Sequence, residues 1–252
     1  MDTLDKIREN RKALADKDVF YLDRNKIIRT LEDIKILFYP NVFHEDEVDD
    51  EDLYEKIRKD LFQEITKVGK DEKTLEEFME ALPVIQERLN EDLVALYNGD
   101  PSAKTYEEII LSFPGFLATF IYRIANELYK LEVPVIPRIM AEYAHEKTGI
   151  DINPGATIGE HFCIDHGTGI VISETAVVGD HVRMYHGVTL GVRSFRKDEF
   201  GNLLKGGKRH PNVGNNVILY ANSTVLGGDT TIDDNSVVPT GTLIIQTPEK
   251  YK

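Results

Sequence analysis

The chain is poor in cysteine, short of basic residues relative to its acids, and without any long apolar run. A single cysteine, Cys163, among 252 residues excludes an intrachain disulfide framework and a cysteine-rich zinc site. A reducing, cytoplasmic setting is the simplest expectation. The 44 acidic against 30 basic side chains leave a formal charge of -14, which repels nucleic acid and anionic lipid, so neither partner is expected. No stretch has the length and apolarity of a spanning helix, and the polar N-terminus lacks the apolar core of a signal peptide; no membrane association is expected. The acidic run from Glu45 to Asp52 reads as a solvated loop and helix start. With 41% hydrophobic and 29% charged residues, the chain can bury a sizeable core.

What the sequence does have is a period of six. From Ile152 an aliphatic residue recurs as Ile158 and Ile164, then as Ile172, Val178, Met184 and Leu190, and later as Val213, Leu219, Val225, Ile232, Val238 and Ile244. Four positions after most of these sits something small or β-branched, such as Ala156, Thr168, Ala176, Val217 or Ser223. Neither a helix nor an ordinary sheet has this period. It marks a parallel β-helix, in which each hexapeptide supplies one flat wall and a corner, and three make a coil.

Upstream the spacing is helical. Leu53, Ile57, Leu61, Ile65 and Val68 recur at three and four residues, as do Leu89, Leu93, Leu96 and Tyr97. A broader apolar face from Ile109 to Leu128, broken only by Pro114-Gly115, predicts a helix start or kink at that pair and burial on two sides. Pro134 and Pro137 end this stretch. A short helix from about Arg138 to Glu146 then runs into the stop signal Thr148-Gly149. The expected class is therefore α+β: a helical N-terminal domain over residues 1–149, then a left-handed parallel β-helix of hexapeptide repeats over 150–252, with a loop protruding at about 193–211.

Three interruptions break the rhythm, and in a solenoid these are the usual places for added function. The step from Ile164 to Ile172 is eight and spans Asp165-His166-Gly167-Thr168-Gly169. Between Leu190 and Val213 the chain leaves the prism with Arg193, Arg196, Lys197, Lys205, Lys208 and Arg209, cations that suit a phosphate-bearing ligand unless they merely solvate a loop. A seven-residue step surrounds Gly227-Gly228. Asp151 precedes His166 by fifteen residues, near one eighteen-residue coil, which would set its carboxylate beside the imidazole and make His166 a better base. His210, at the foot of the loop, reads as a loop-closing residue first and as one edge of a cleft second.

The stretch DINPGATIGEHFCIDHGTGIVISETAVVGD, with HGVTLG, KRHPNVGNNV and the coil containing Ala221, resembles the serine O-acetyltransferases, which make O-acetylserine for cysteine synthesis. The segment from Asp100 to Tyr129 resembles the helical region of that family, so the likeness covers roughly Asp100 to Thr242. The resemblance implies His166 as general base for the hydroxyl of L-serine and Asp151 as the carboxylate that orients it. It assigns Asp100 and Asp165 to the substrate ammonium, Arg209 to its carboxylate, and His210, from the adjoining subunit, to the same site. Acetyl-CoA, the co-substrate, would lie between neighbouring β-helices of a trimer or pair of trimers along Gly191, Ala221 and Thr240, and no resident cofactor or metal is implied. L-Cysteine is an expected feedback inhibitor through the serine site. Direct transfer leaves Cys163 as a wall residue and not the nucleophile.

Three departures from the family pattern stand out. Asn153 replaces a histidine, Val192 replaces a second glycine after Gly191, and the loop is long. The chain ends at Tyr251-Lys252 without the isoleucine-ended tail through which many members bind O-acetylserine sulfhydrylase, so that complex is not expected. Rival readings are an acetyltransferase for another hydroxyl acceptor, a gamma-class carbonic anhydrase using His145, His181 and His186, and a non-catalytic scaffold.

Overall fold

The structure is a computed structural model that describes residues 2–12, 21–43, 49–195 and 197–246. Positions 45–48 of the acidic run, Arg196 of the loop and Tyr251-Lys252 lie outside the described residues. The helices come first: α1 (Thr3–Lys12), α2 (Arg24–Phe38), α3 (Pro40–Phe43), α4 (Asp50–Lys67), α5 (Glu72–Gly99), α6 (Tyr106–Ser112), α7 (Pro114–Lys130) and α8 (Ile136–Thr148). Short strands follow: β1 (Asp151–Ile152), β2 (Thr157–Ile158), β3 (Cys163–Asp165), β4 (Val171–Ile172), β5 (Val177–Val178), β6 (Arg183–Tyr185), β7 (Thr189–Gly191), β8 (Asn212–Val213), β9 (Ile218–Leu219), β10 (Thr224–Leu226), β11 (Thr231–Ile232), β12 (Val237–Val238) and β13 (Leu243–Ile244).

Every third strand pairs in parallel, giving the sheets β1-β4-β7-β10-β13, β2-β5-β8-β11 and β3-β6-β9-β12, the three walls of a left-handed β-helix. All thirteen aliphatic residues of the six-residue period are at most 6% exposed, so they fill the prism as their spacing predicts. The register records each interruption. Asp151 pairs with Val171, Val171 with Thr189, Thr189 with Thr224 and Thr224 with Leu243, so successive coils take 20, 18, 35 and 19 residues. Only the second coil is regular. The first absorbs its two extra residues at His166–Gly169, where Thr168 is exposed and Ile170, fully buried, takes the corner position expected of Thr168.

The helical layer is built from amphipathic stripes with conventional caps. Asp49 accepts from the backbone N–H groups of Glu51 and Asp52 at the start of α4, and Asp71 caps α5 through Thr74. α6 and α7 meet at 76° at the expected Pro114 break. No single helix among the described residues is long and apolar enough to cross a membrane. Gly115 lets α7 close on the prism, because a Cβ there would strike the carbonyl oxygen of Ile164. The breadth of α7 has the predicted cause. Phe116, Phe120, Ile124 and Leu128 join the helical core, whereas Ala118 and Tyr122 join the core of the β-helix. α8 extends two residues beyond the predicted helix at each end and stops at Gly149, whose φ of 69° supplies the left-handed C-cap.

One buried ion pair fastens the two layers together. Arg123 on α7 donates from Nε and Nη2 to Asp92 on α5 at 2.8 and 2.9 Å, and from Nη1 and Nη2 to the carbonyls of Ile158 and Gly159 at 3.0 and 2.6 Å. Asp92 also accepts from the backbone N–H of Phe162 at 2.8 Å, one residue before β3.

Candidate active site

Asp165 ends β3, and His166 turns the corner after it. The His166 Nε2 lies 3.6 Å from Asp165 Oδ1, with the imidazole 77% exposed and the carboxylate 16% exposed. His166 has φ 58°. Positive φ also occurs at the corner residues His161, His181, Asn216 and Asn235, so it belongs to the turning of the prism as much as to this site. Asp100, just past the end of α5, reaches the same place from the helical layer. These three groups share a cavity of about 400 Å³ with Ser102, Phe113 and Thr168. Asp100 Oδ1 accepts from the Ser102 hydroxyl at 2.7 Å and its backbone N–H at 2.8 Å. Those bonds, then the nearby His166 and Arg183, hold the Asp100 carboxyl below the usual carboxylate range. Cys163 borders the cavity too, but it is 4% exposed and burial pushes its thiol up to about 12. It stays protonated near neutrality and is unsuited to act as a nucleophile.

A second cavity, of about 450 Å³, holds Asp151, Arg138, Glu174, Arg209 and His210. Its organiser is Thr175. The Thr175 hydroxyl accepts from the backbone N–H groups of Arg209 and His210 at 3.0 and 3.1 Å, pinning the foot of the long loop. The Thr175 backbone N–H donates to His210 Nδ1 at 3.0 Å, which makes Nδ1 an acceptor and leaves the proton on Nε2. Burial, with Arg209 second, pushes the His210 imidazole down to about 4. Arg209 is ion-paired to Glu174, which also accepts from Tyr129 at 3.1 Å. Glu174 and Thr175 were visible only as part of the quoted Ser173-Glu174-Thr175-Ala176 element.

Within one chain the predicted site residues fall into these two groups, and Asp151 and His166 do not share a cavity. On the next rung the partner of Asp151 is Val171, whereas His166 follows β3 on another wall, in register with His186 of the regular coil, so a separation of fifteen residues does not bring the two together. Asn153 and Val192, the two departures from the family pattern, both line the Asp151 cavity. Asn153 Oδ1 accepts from the Gly155 backbone N–H at 2.9 Å, a turn bond that accounts for asparagine at this position.

The residues expected along acetyl-CoA divide similarly. Ala221 lies at the corner above His186, which faces His166 with ring centroids 6.0 Å apart, and Thr240 takes the equivalent place on the next coil. Gly191 ends β7 on the adjoining wall, its carbonyl accepting from the Gly227 backbone N–H at 3.0 Å. Three of the loop cations are engaged: Arg193 with Asp229 at 3.4 Å, Lys208 with the carbonyl of Thr175 at 2.6 Å, and Arg209 with Glu174. The carbonic anhydrase reading loses its geometry. His145 pairs with Glu142 on α8, His181 stacks on His161 and His186 faces His166, so these three imidazoles have separate neighbours.

The family model described as serine acetyltransferase, N-terminal, matches residues 34–120, extending the likeness upstream of Asp100 through α2, α4 and α5. A plasmid-encoded serine acetyltransferase of Synechococcus elongatus is 44% identical over 186 residues, which are 69% of this chain and 58% of that relative, so the chain spans less than two thirds of its length. The solved structure of Entamoeba histolytica serine acetyltransferase 1 in complex with L-cysteine superposes with a TM-score of 0.73 at 34% identity, covering 90% of this chain and 86% of that one. That of the serine acetyltransferase of Brucella abortus strain S19 in complex with coenzyme A has a TM-score of 0.63 at 26% identity, covering 86% and 74%. By sequence and by fold alike, the chain belongs to the serine acetyltransferase family.

Proposed function

We propose that the protein transfers the acetyl group of acetyl-CoA to the hydroxyl of L-serine. The observation that carries this reading is the chemistry of the two cavities. One offers the carboxylates Asp100 and Asp165 beside an exposed imidazole, and the other offers Arg209 and a neutral His210. A zwitterion with a hydroxyl needs anions at its ammonium, a cation at its carboxylate and a base at the hydroxyl.

The complete site forms where the two cavities of neighbouring copies meet in a trimer, with Asp151 of one copy orienting His166 of the next. His166 takes the hydroxyl proton as the serine oxygen bonds to the thioester carbon. The tetrahedral oxyanion then collapses, the C–S bond breaks, and the CoA thiolate recovers the proton from the imidazolium. No acyl-enzyme intervenes, in keeping with a protonated Cys163. Ala221 and Thr240 share the His166 edge of the prism and Gly191 borders the emerging loop, an arrangement suited to acetyl-CoA lying along the groove. L-Cysteine has the same charged ends as serine, so it would compete for the same site.

Release of CoA thiol from acetyl-CoA, followed with L-serine, L-homoserine, a galactoside and no acceptor, tests the reading. Thiol release is expected to depend on L-serine. Faster release with the galactoside would replace serine with a sugar acceptor.

A further inference from the structure

Arg183, on β6, occupies the rung directly beside Cys163 on β3. Its Nη1 donates at 2.6 Å to the carbonyl oxygen of Gly99, the final residue of α5, and the next residue in the chain is Asp100. That carbonyl belongs to the last turn of a 28-residue helix, where partial negative charge collects and carbonyls lack intrahelical partners. Gly99 is what lets the guanidinium approach. A Cβ at this position would collide with Arg183 Nη2 and come within 3.3 Å of Cys163 Sγ. Arg183 also lies within electrostatic range of Tyr185 and of Asp165, two residues beyond Cys163.

The guanidinium thus joins the two separate pieces of backbone that carry the anionic half of the site. Asp100 comes from a helix end and Asp165 from a strand end, and two carboxylates aimed at one ammonium repel each other when the site is empty. A cation held near both offsets that repulsion. We infer that Arg183 is a positioning residue for the substrate ammonium, fixing Asp100 against Asp165 so that both carboxylates face one cation. This rests on the proposed serine reading. A helix staple alone would hold the fold without discriminating between the two substrates.

The test is steady-state kinetics of the full chain and of the variants Arg183→Gln, Arg183→Lys, Asp100→Asn and the double variant Arg183→Gln/Asp100→Asn, each with its Tm. Arg183→Gln is expected to raise the KM for L-serine about tenfold, with the KM for acetyl-CoA changed less than about twofold. Arg183→Lys, which keeps a cation and one donor, should recover most of the loss. In the double variant the KM for L-serine should stay within about twofold of Asp100→Asn alone, because the arginine acts through that carboxylate. Additive losses, or equal rises in both KM values with a fallen Tm, would overturn the inference while leaving the serine reading intact. Absence of serine-dependent thiol release by the unaltered protein would overturn both.

Discussion

Replacement of His166 by asparagine is expected to lower kcat for serine acetylation by about 10²–10⁴-fold, the usual contribution of a positioned general base. Asparagine is the informative substitute because it tolerates the left-handed backbone at φ 58°, where alanine adds strain. The imidazole is 77% exposed, and its removal should leave Tm nearly unchanged. The pH profile separates this role from that of the second histidine. His210 is held neutral down to about 4, so activity lost on the acid side well above that pH does not report protonation of His210. The same depression has a consequence for stability. Since the folded pKa of His210 lies below its unfolded value of 6.5, the unfolded chain takes up the proton first, and stability falls as pH drops from about 6.5 to about 4. Unchanged kcat in His166→Asn would remove the base assignment.

The second large effect concerns the fold. Arg123→Met is expected to cost about 3–5 kcal/mol, because it strands a fully buried Asp92 carboxylate without its counter-ion. At this chain length that corresponds to a fall in Tm of about 6–20 °C, measured at fixed protein concentration because assembly also shifts Tm. Making both positions apolar, as in Asp92→Leu/Arg123→Met, should restore only part of the loss. The carbonyls of Ile158 and Gly159 and the N–H of Phe162 would still lack their partners. A fall in Tm of less than about 2 °C in Arg123→Met would show that the pair is not what fastens the helices to the prism.

These two cases illustrate what could be read from the chain alone. The prism was legible because its period of six places one large aliphatic residue on every wall, and burial of Ile152 through Ile244 obeys that spacing. α4, the later part of α5 and the bend at Pro114 were legible for the same reason, since local spacing and proline chemistry act over a few residues. His166 and Arg209 drew notice because they sit in interruptions of the repeat. Contacts bridging distant segments were not legible: nothing local in the sequence pairs Asp92 with Arg123, Gly99 with Arg183, or Thr175 with the foot of a loop 34 residues later. Asp151 and His166 were not placed by spacing either, because fifteen residues from β1 reach only the corner after β3, while the rung partner of Asp151 is Val171.

On the proposed reading one chain carries two complementary half-sites, and catalysis requires the His166 half of one copy against the Arg209 half of its neighbour. Activity of mixed oligomers tests this directly. Arg209→Ala should raise the KM for serine strongly, and His166→Asn should abolish most turnover; co-refolding the two variants in equal amounts is then decisive. Random assembly of trimers would rebuild an intact pair of half-sites at about one quarter of the interfaces. Activity of the mixture is expected to approach about 25% of that of the unaltered protein. A mixture no more active than its two components would show that the halves do not complete each other between copies.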